Sequence, residues 1–157
     1  DGVASASATL TVTVNSMFRM NVRQAKAAFG KPGKVDGKVE LTVAFTYSGI
    51  PEGAIRVNFD QATLFDAPFT EFTREEAGVY RYHTKNVYAK IDLNRGVLKV
   101  ARHKMVMTGM NNGNGIDIVI RFGGAVASDH IDMVTRRHDK EQTLLYPTGG
   151  TDRHDDD

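Results

Sequence analysis

Five histidines and nineteen carboxylates set the chemistry that this chain of 157 residues could attempt. Asp129-His130-Ile131-Asp132 and His154-Asp155-Asp156-Asp157 put imidazole beside carboxylate, a donor set that suits calcium or a transition metal. On a strand, residues three apart point to opposite faces, so Asp129 and Asp132 are badly placed to share an ion. The cluster His154, Asp155, Asp156 and Asp157 is free of that objection, yet a terminal acidic run reads first as a solvated tail. Asn111-Asn112-Gly113-Asn114-Gly115 offers carbonyl oxygens, but it lacks the spaced carboxylates and distal Glu of an EF-hand loop and reads as a turn. No cofactor is expected, and calcium is the ion kept open beside that expectation.

Catalytic patterns are equally thin. The chain has no cysteine, which removes thiol nucleophiles, thiolate zinc sites and disulfides. No Gly-x-Ser-x-Gly elbow occurs, and Ser128-Asp129-His130 cannot act as a triad by adjacency alone. The glycines from Gly109 to Gly115 lack the Lys-Ser/Thr of a phosphate loop. Glu75 and Glu76 are sequential, whereas glycosidic chemistry needs two carboxyls facing each other across a cleft. The chain therefore reads as non-enzymatic. Phe69, Phe72, Tyr80, Tyr82 and Tyr88 are the aromatic concentration, and a flat row of such rings is a surface on which sugars stack. The competing reading packs Tyr80 and Tyr82 on the core with their hydroxyls at the rim.

The elements that would hold these groups are strands. Ala8, Leu10, Val12 and Val14 alternate with threonines, and Phe18, Met20 and Val22 alternate with Arg19, Asn21 and Arg23. Val39 to Tyr47, Ile55 to Phe59, Val87 to Leu93, Val97 to Met107 and Ile116 to Phe122 repeat the period of two. Asn94-Arg95-Gly96 reads as the turn of a hairpin over 86–107. Gln24 to Phe29 has helical propensity but continues a strand pattern. Some seven to nine strands predict an all-β fold, an antiparallel β-sandwich of immunoglobulin-like type, with a closed barrel as the alternative. The expected core includes Phe18, Val22, Leu41, Val43, Phe45, Val57, Phe59, Ile91, Leu98, Ile118 and Ile120.

The domain division follows from composition: an N-terminal extension strand over 1–16, the sandwich over 17–134, and a polar, acidic C-terminal tail over 135–157. Residues 1–127 carry 16 basic and 11 acidic side chains, and residues 128–157 carry 4 and 8. The two parts thus attract one another weakly, or each other's neighbours in an assembly, at contact range. Leu144-Leu145-Tyr146 is the one apolar anchor in the tail, expected to dock on a β-surface, and removal of 135–157 is expected to leave the sandwich folded.

The Thr/Val strand Asp1 to Asn15 resembles the closing strand of cadherin-like and Ig-like repeats in large secreted bacterial proteins. Residues 18–122 are similar to poorly characterised β-sandwich modules of secreted proteins from environmental bacteria. That similarity rests on Phe29-Gly30-Lys31-Pro32-Gly33-Lys34, Val57-Asn58-Phe59, Tyr80-Arg81-Tyr82 and the strand closing in Gly123-Gly124. It implies an extracellular or cell-surface setting and supplies no catalytic residues.

Two functions follow as expectations. The first is a structural module, a repeat or subunit of a surface layer, adhesin or fibre. Its assembly residues would be Leu10, Val12, Val14, Leu144, Leu145 and Tyr146, with strand 8–14 completing a neighbour's sheet. Its partners are copies of itself or neighbouring modules. The balanced net charge of +1 opposes a nucleic-acid partner, and no apolar run is long enough for a membrane helix. The second is a carbohydrate-binding module that uses the 69–88 aromatics.

Overall fold

The computed structural model describes residues 18–31, 34–107, 115–138 and 141–147. These form an all-β structure of two antiparallel sheets, a β-sandwich with twelve strands among the described residues. The described residues start in the larger sheet with β1 (Arg19–Ala28) and β2 (Gly37–Thr46), then cross to the smaller with β3 (Ala54–Phe59) and β4 (Ala62–Pro68). A 3₁₀ turn at Phe69–Glu71 leads back to a meander of β5 (Thr73–Glu76), β6 (Val79–His83), β7 (Val87–Asp92) and β8 (Val97–Met105). The hairpin of β9 (Ile116–Phe122) and β10 (Ala125–Ile131) returns to the smaller sheet, and β11 (Val134–His138) with β12 (Glu141–Tyr146) ends in the larger. The orders are β11-β12-β1-β2-β8-β7-β6-β5 and β10-β9-β3-β4.

Alternation explains which face of each strand is buried. Val39, Leu41, Val43 and Phe45 of β2 meet Ile55, Val57 and Phe59 of β3 and Ile116, Ile118 and Ile120 of β9 in one core. Every residue of the expected core is buried. Beta1 changes phase midway: Phe18 and Val22 face inward before a bulge between Val22 and Gln24, and Ala25 and Ala27 after it. A bulge adds one residue to one strand, so even positions give way to odd ones on the buried face. Phe18, Phe45, Tyr47 and Phe122 pack at one end, with Phe18 stacked on Phe122 at 4.5 Å between centroids.

Two sequence expectations need correction. The strands exceed seven to nine, because β4, β5, β10, β11 and β12 carry too little regular alternation to be recognised. The folded region also passes the boundary expected at 134. Beta12 pairs with β1 from Ala25↔Tyr146 to Ala28↔Thr143, and Leu144 is fully buried. Residues 134–138 and 141–146 are therefore part of the larger sheet instead of a solvated tail, and a chain ending at 134 would strip β1 of a ladder partner. The extension strand 1–16 and the terminal residues 148–157 lie outside the described residues.

Candidate functional site: the outer face of the eight-stranded sheet

Because the inner face is spent on the core, chemistry is left to the outer one. The register lines up the outward side chains in rows that cross the strands. One row runs Val134, Leu145, Lys26, Glu40, Ala101, Tyr88 and His83, from β11 to β6. The next row runs Gln24, Thr42, Lys99, Lys90 and Arg81. On the other side lie Arg136, Thr143, Ala28 and Lys38. Across β11 to β7 this face forms a groove of about 530 Å³ whose walls include Lys26, Tyr88, Lys99, Val134, Arg136 and Leu145.

Charge on the face is partly neutralised. The Lys38 ammonium lies 2.6 Å from the Glu40 carboxylate. That hydrogen bond, helped by the charges of Lys38, Lys26 and His103, outweighs desolvation and holds the Glu40 carboxyl below its ordinary range. Glu75 accepts from Arg81 and lies 3.5 Å from Lys90. Among the described residues, Lys26, Lys99 and Arg136 have no carboxylate at ion-pair distance. Arg81 also lies over the Tyr88 ring, 5.6 Å from its centroid, and His83 meets the same ring edge-on.

The aromatic residues expected to form one platform are divided between two faces. Tyr82 stacks on Phe65 and Phe72 with centroids 5.7 and 5.3 Å away, and Tyr80 meets Phe69 at 4.8 Å. Phe72 is buried, and Phe69, Tyr80 and Tyr82 pack against the core from β6 and the 3₁₀ turn. Tyr88, on the adjacent strand, belongs to the outer groove. Tyr80 and Tyr82 register with Ile91 and Ala89, which face inward, whereas Tyr88 registers with outward Ala101. The core-packing alternative names Tyr80 and Tyr82, and Phe69 and Phe72 pack on the same side.

The assembly candidates are divided as well. Leu144 is consumed by the core of its own chain, Leu145 lies in the groove beside Val134, and Tyr146 is half-buried against the core. Leu10, Val12, Val14, His154, Asp155, Asp156 and Asp157 lie outside the described residues, as do Asn111 to Asn114.

In the Asp129-His130-Ile131-Asp132 group, Asp129 turns inward and its carboxylate accepts a 2.9 Å hydrogen bond from the Val22 N–H. His130 pairs instead with Asp117 across the β9–β10 ladder, with Nδ1 and Oδ1 2.6 Å apart. This hydrogen bond, and the charges of Asp117, Asp132 and Asp129, raise the imidazole pKa. Among the described residues no three of His, Asp and Glu converge as metal ligands. Nor, among them, is any helix long and apolar enough to cross a membrane.

Lys26, Lys99, Arg136, Gln24 and Thr42 escaped notice in the sequence because no motif joins them. Their signal is the outward parity of basic residues on strands whose order in the sheet the sequence does not disclose. The class the fold defines is a two-sheet antiparallel β-sandwich with a basic groove on its wider sheet. Compared with protein-family models, curated proteins and solved structures, the chain finds no match.

Proposed function

We propose that this chain is a non-enzymatic structural module of immunoglobulin-like type in an extracellular or cell-surface assembly. It joins copies of itself or neighbouring modules by strand complementation. The observation that supports this reading is the β11 edge. Beta11 has β12 on one side only, and its outward Val134 is 39% exposed next to half-buried Leu145. A strand added there sets an apolar residue against Val134, with Arg136 on the same outward face, and polar residues on the side of Thr135 and Arg137. Ala8 to Val14, with Leu10, Val12 and Val14 on one face and threonines on the other, has that alternation.

The absence of native cysteine makes the test direct. Val134→Cys would be combined in turn with Leu10→Cys, Val12→Cys and Val14→Cys, and the full chain oxidised. Disulfide-linked dimers and higher oligomers in at least one register are expected. Only intramolecular disulfides, or none in any register, would overturn complementation between copies at this edge. Sedimentation of the triple Leu10, Val12 and Val14→Asp variant should show reduced self-association; unchanged association would be equally damaging.

A further inference from the structure

We propose that the outer groove binds a linear anionic glycan laid across the strands, its acidic groups on Arg136, Lys26 and Lys99 and a sugar ring against Tyr88. The carrying observation is the placement of three cations that, among the described residues, have no carboxylate at ion-pair distance. Arg136 is on β11, Lys26 on β1 and Lys99 on β8, each two strands beyond the last in the order β11-β12-β1-β2-β8. Each step also moves one row along the strand axis, since Arg136 registers through Thr143 with Ala28, and Lys99 through Thr42 with Gln24. Two strand spacings and one two-residue step put the backbone positions of successive cations about 12 Å apart along one diagonal of the sheet. Evenly spaced charge along a line suits a polymer with a recurring acidic group better than one small anion.

The remaining walls select among polyanions. The backbone groups of β12, β1, β2 and β8 are committed to ladders on both sides. A peptide laid across them would find no partners for its own N–H and C=O groups, whereas a polyhydroxylated chain needs only side chains. Gln24, Thr42, Glu40 and the Tyr88 hydroxyl supply donors and acceptors for hydroxyls. Tyr88, Val134, Leu145 and Pro147 offer apolar surface for the C–H faces of sugar rings. No part of this proposal depends on the β11 edge receiving a strand.

The test is calorimetric titration of the full chain with oligogalacturonate, using dextran oligomers as the neutral probe and poly-L-glutamate as the non-glycan polyanion. Saturable oligogalacturonate binding that weakens with salt is expected, with dextran silent and poly-L-glutamate weaker. The triple variant Lys26→Ala, Lys99→Ala and Arg136→Ala should lose binding about tenfold or more, since each removed group makes charge-assisted contacts. Tyr88→Ala should lose it several-fold, while Arg56→Ala on the other sheet leaves it unchanged. These side chains lie outside the core, and a retained thermal transition confirms folding; Lys99→Gln gives a milder second variant. Equal affinity for poly-L-glutamate, binding insensitive to the triple variant, or no binding of oligogalacturonate would each overturn the proposal.

Discussion

The Asp129 carboxylate is the connection between the sheets whose removal has the most calculable effect. Val22 is 2% exposed and sits where β1 bulges, so its N–H is turned away from the regular ladder. Asp129 of β10, 107 residues along the chain, accepts that N–H at 2.9 Å. Replacing Asp129 with Ala removes the acceptor and leaves a buried donor unsatisfied. A hydrogen bond to a charged group contributes about 1.5–3 kcal/mol, so a loss of about 2 kcal/mol is expected. For a chain of this size that lowers the Tm by about 4–8 °C. Asp129→Asn keeps an amide oxygen in place and should cost less than half as much.

Urea unfolding of the two variants measures both numbers, with unchanged m-values showing that the same surface is exposed. Refutation is a loss below about 0.5 kcal/mol for Asp129→Ala, the ordinary range of surface substitutions. An Asn variant as damaged as the Ala variant would also refute the argument, since charge and not the acceptor would then matter.

Three further outcomes follow. Leu144→Ala, at a fully buried site, should cost about 2–5 kcal/mol in chemical unfolding, and a chain ending at 134 should fail to show a cooperative transition. Gly96 has φ of 66° and a Cβ there would meet the Phe45 carbonyl oxygen at 2.3 Å, so Gly96→Ala should destabilise by more than the usual ~1 kcal/mol of left-handed strain. His130 should titrate above the ordinary histidine value by NMR, and Asp117→Asn should bring it down. Because the folded pKa is raised, the pair's stabilisation is present below the unfolded value near 6.5 and disappears as pH rises through the folded value; the reverse trend in unfolding experiments would contradict the assignment.

The long strands were legible because one face of each is buried and the other is wet. Val39 to Phe45 and Ile116 to Phe122 declare their inward residues by period alone. Beta4 hides because a bulge between Val57 and Asn58 in its pairing with β3 places Leu64 and Phe65 side by side in the core. Beta11 and β12 hide for another reason: at the border of the larger sheet, Arg136, Arg137, Gln142 and Thr143 read as a polar tail. The aromatic residues could be grouped by proximity in sequence, but Tyr82 and Tyr88 are separated by a turn that reverses which parity faces inward. The groove depends on strand order, and strand order is decided by contacts between distant segments. No periodic pattern carries that information.

The four sheet borders differ in how they would receive another strand, which sharpens the assembly reading. Beta5 is short and fully exposed, with the sequence Thr-Arg-Glu-Glu. Beta4 ends in Pro68 and carries Asp66 next to its own bulge at Leu64. Beta10 points Asp129 inward, where it is committed to β1. Short length, charge, proline and inward carboxylates all discourage strand addition. Beta11 is short and also carries Arg136 and Arg137, yet it is the border where exposed Val134 continues into the apolar side of the groove through Leu145. The same position thus joins the two proposals without making either depend on the other. A strand added at β11 would extend the apolar wall beyond Val134 but, having threonines and aliphatic residues alone, would add no cation to the diagonal. Assembly should therefore lengthen the groove while leaving its charge spacing, and hence its preference among anionic glycans, unchanged.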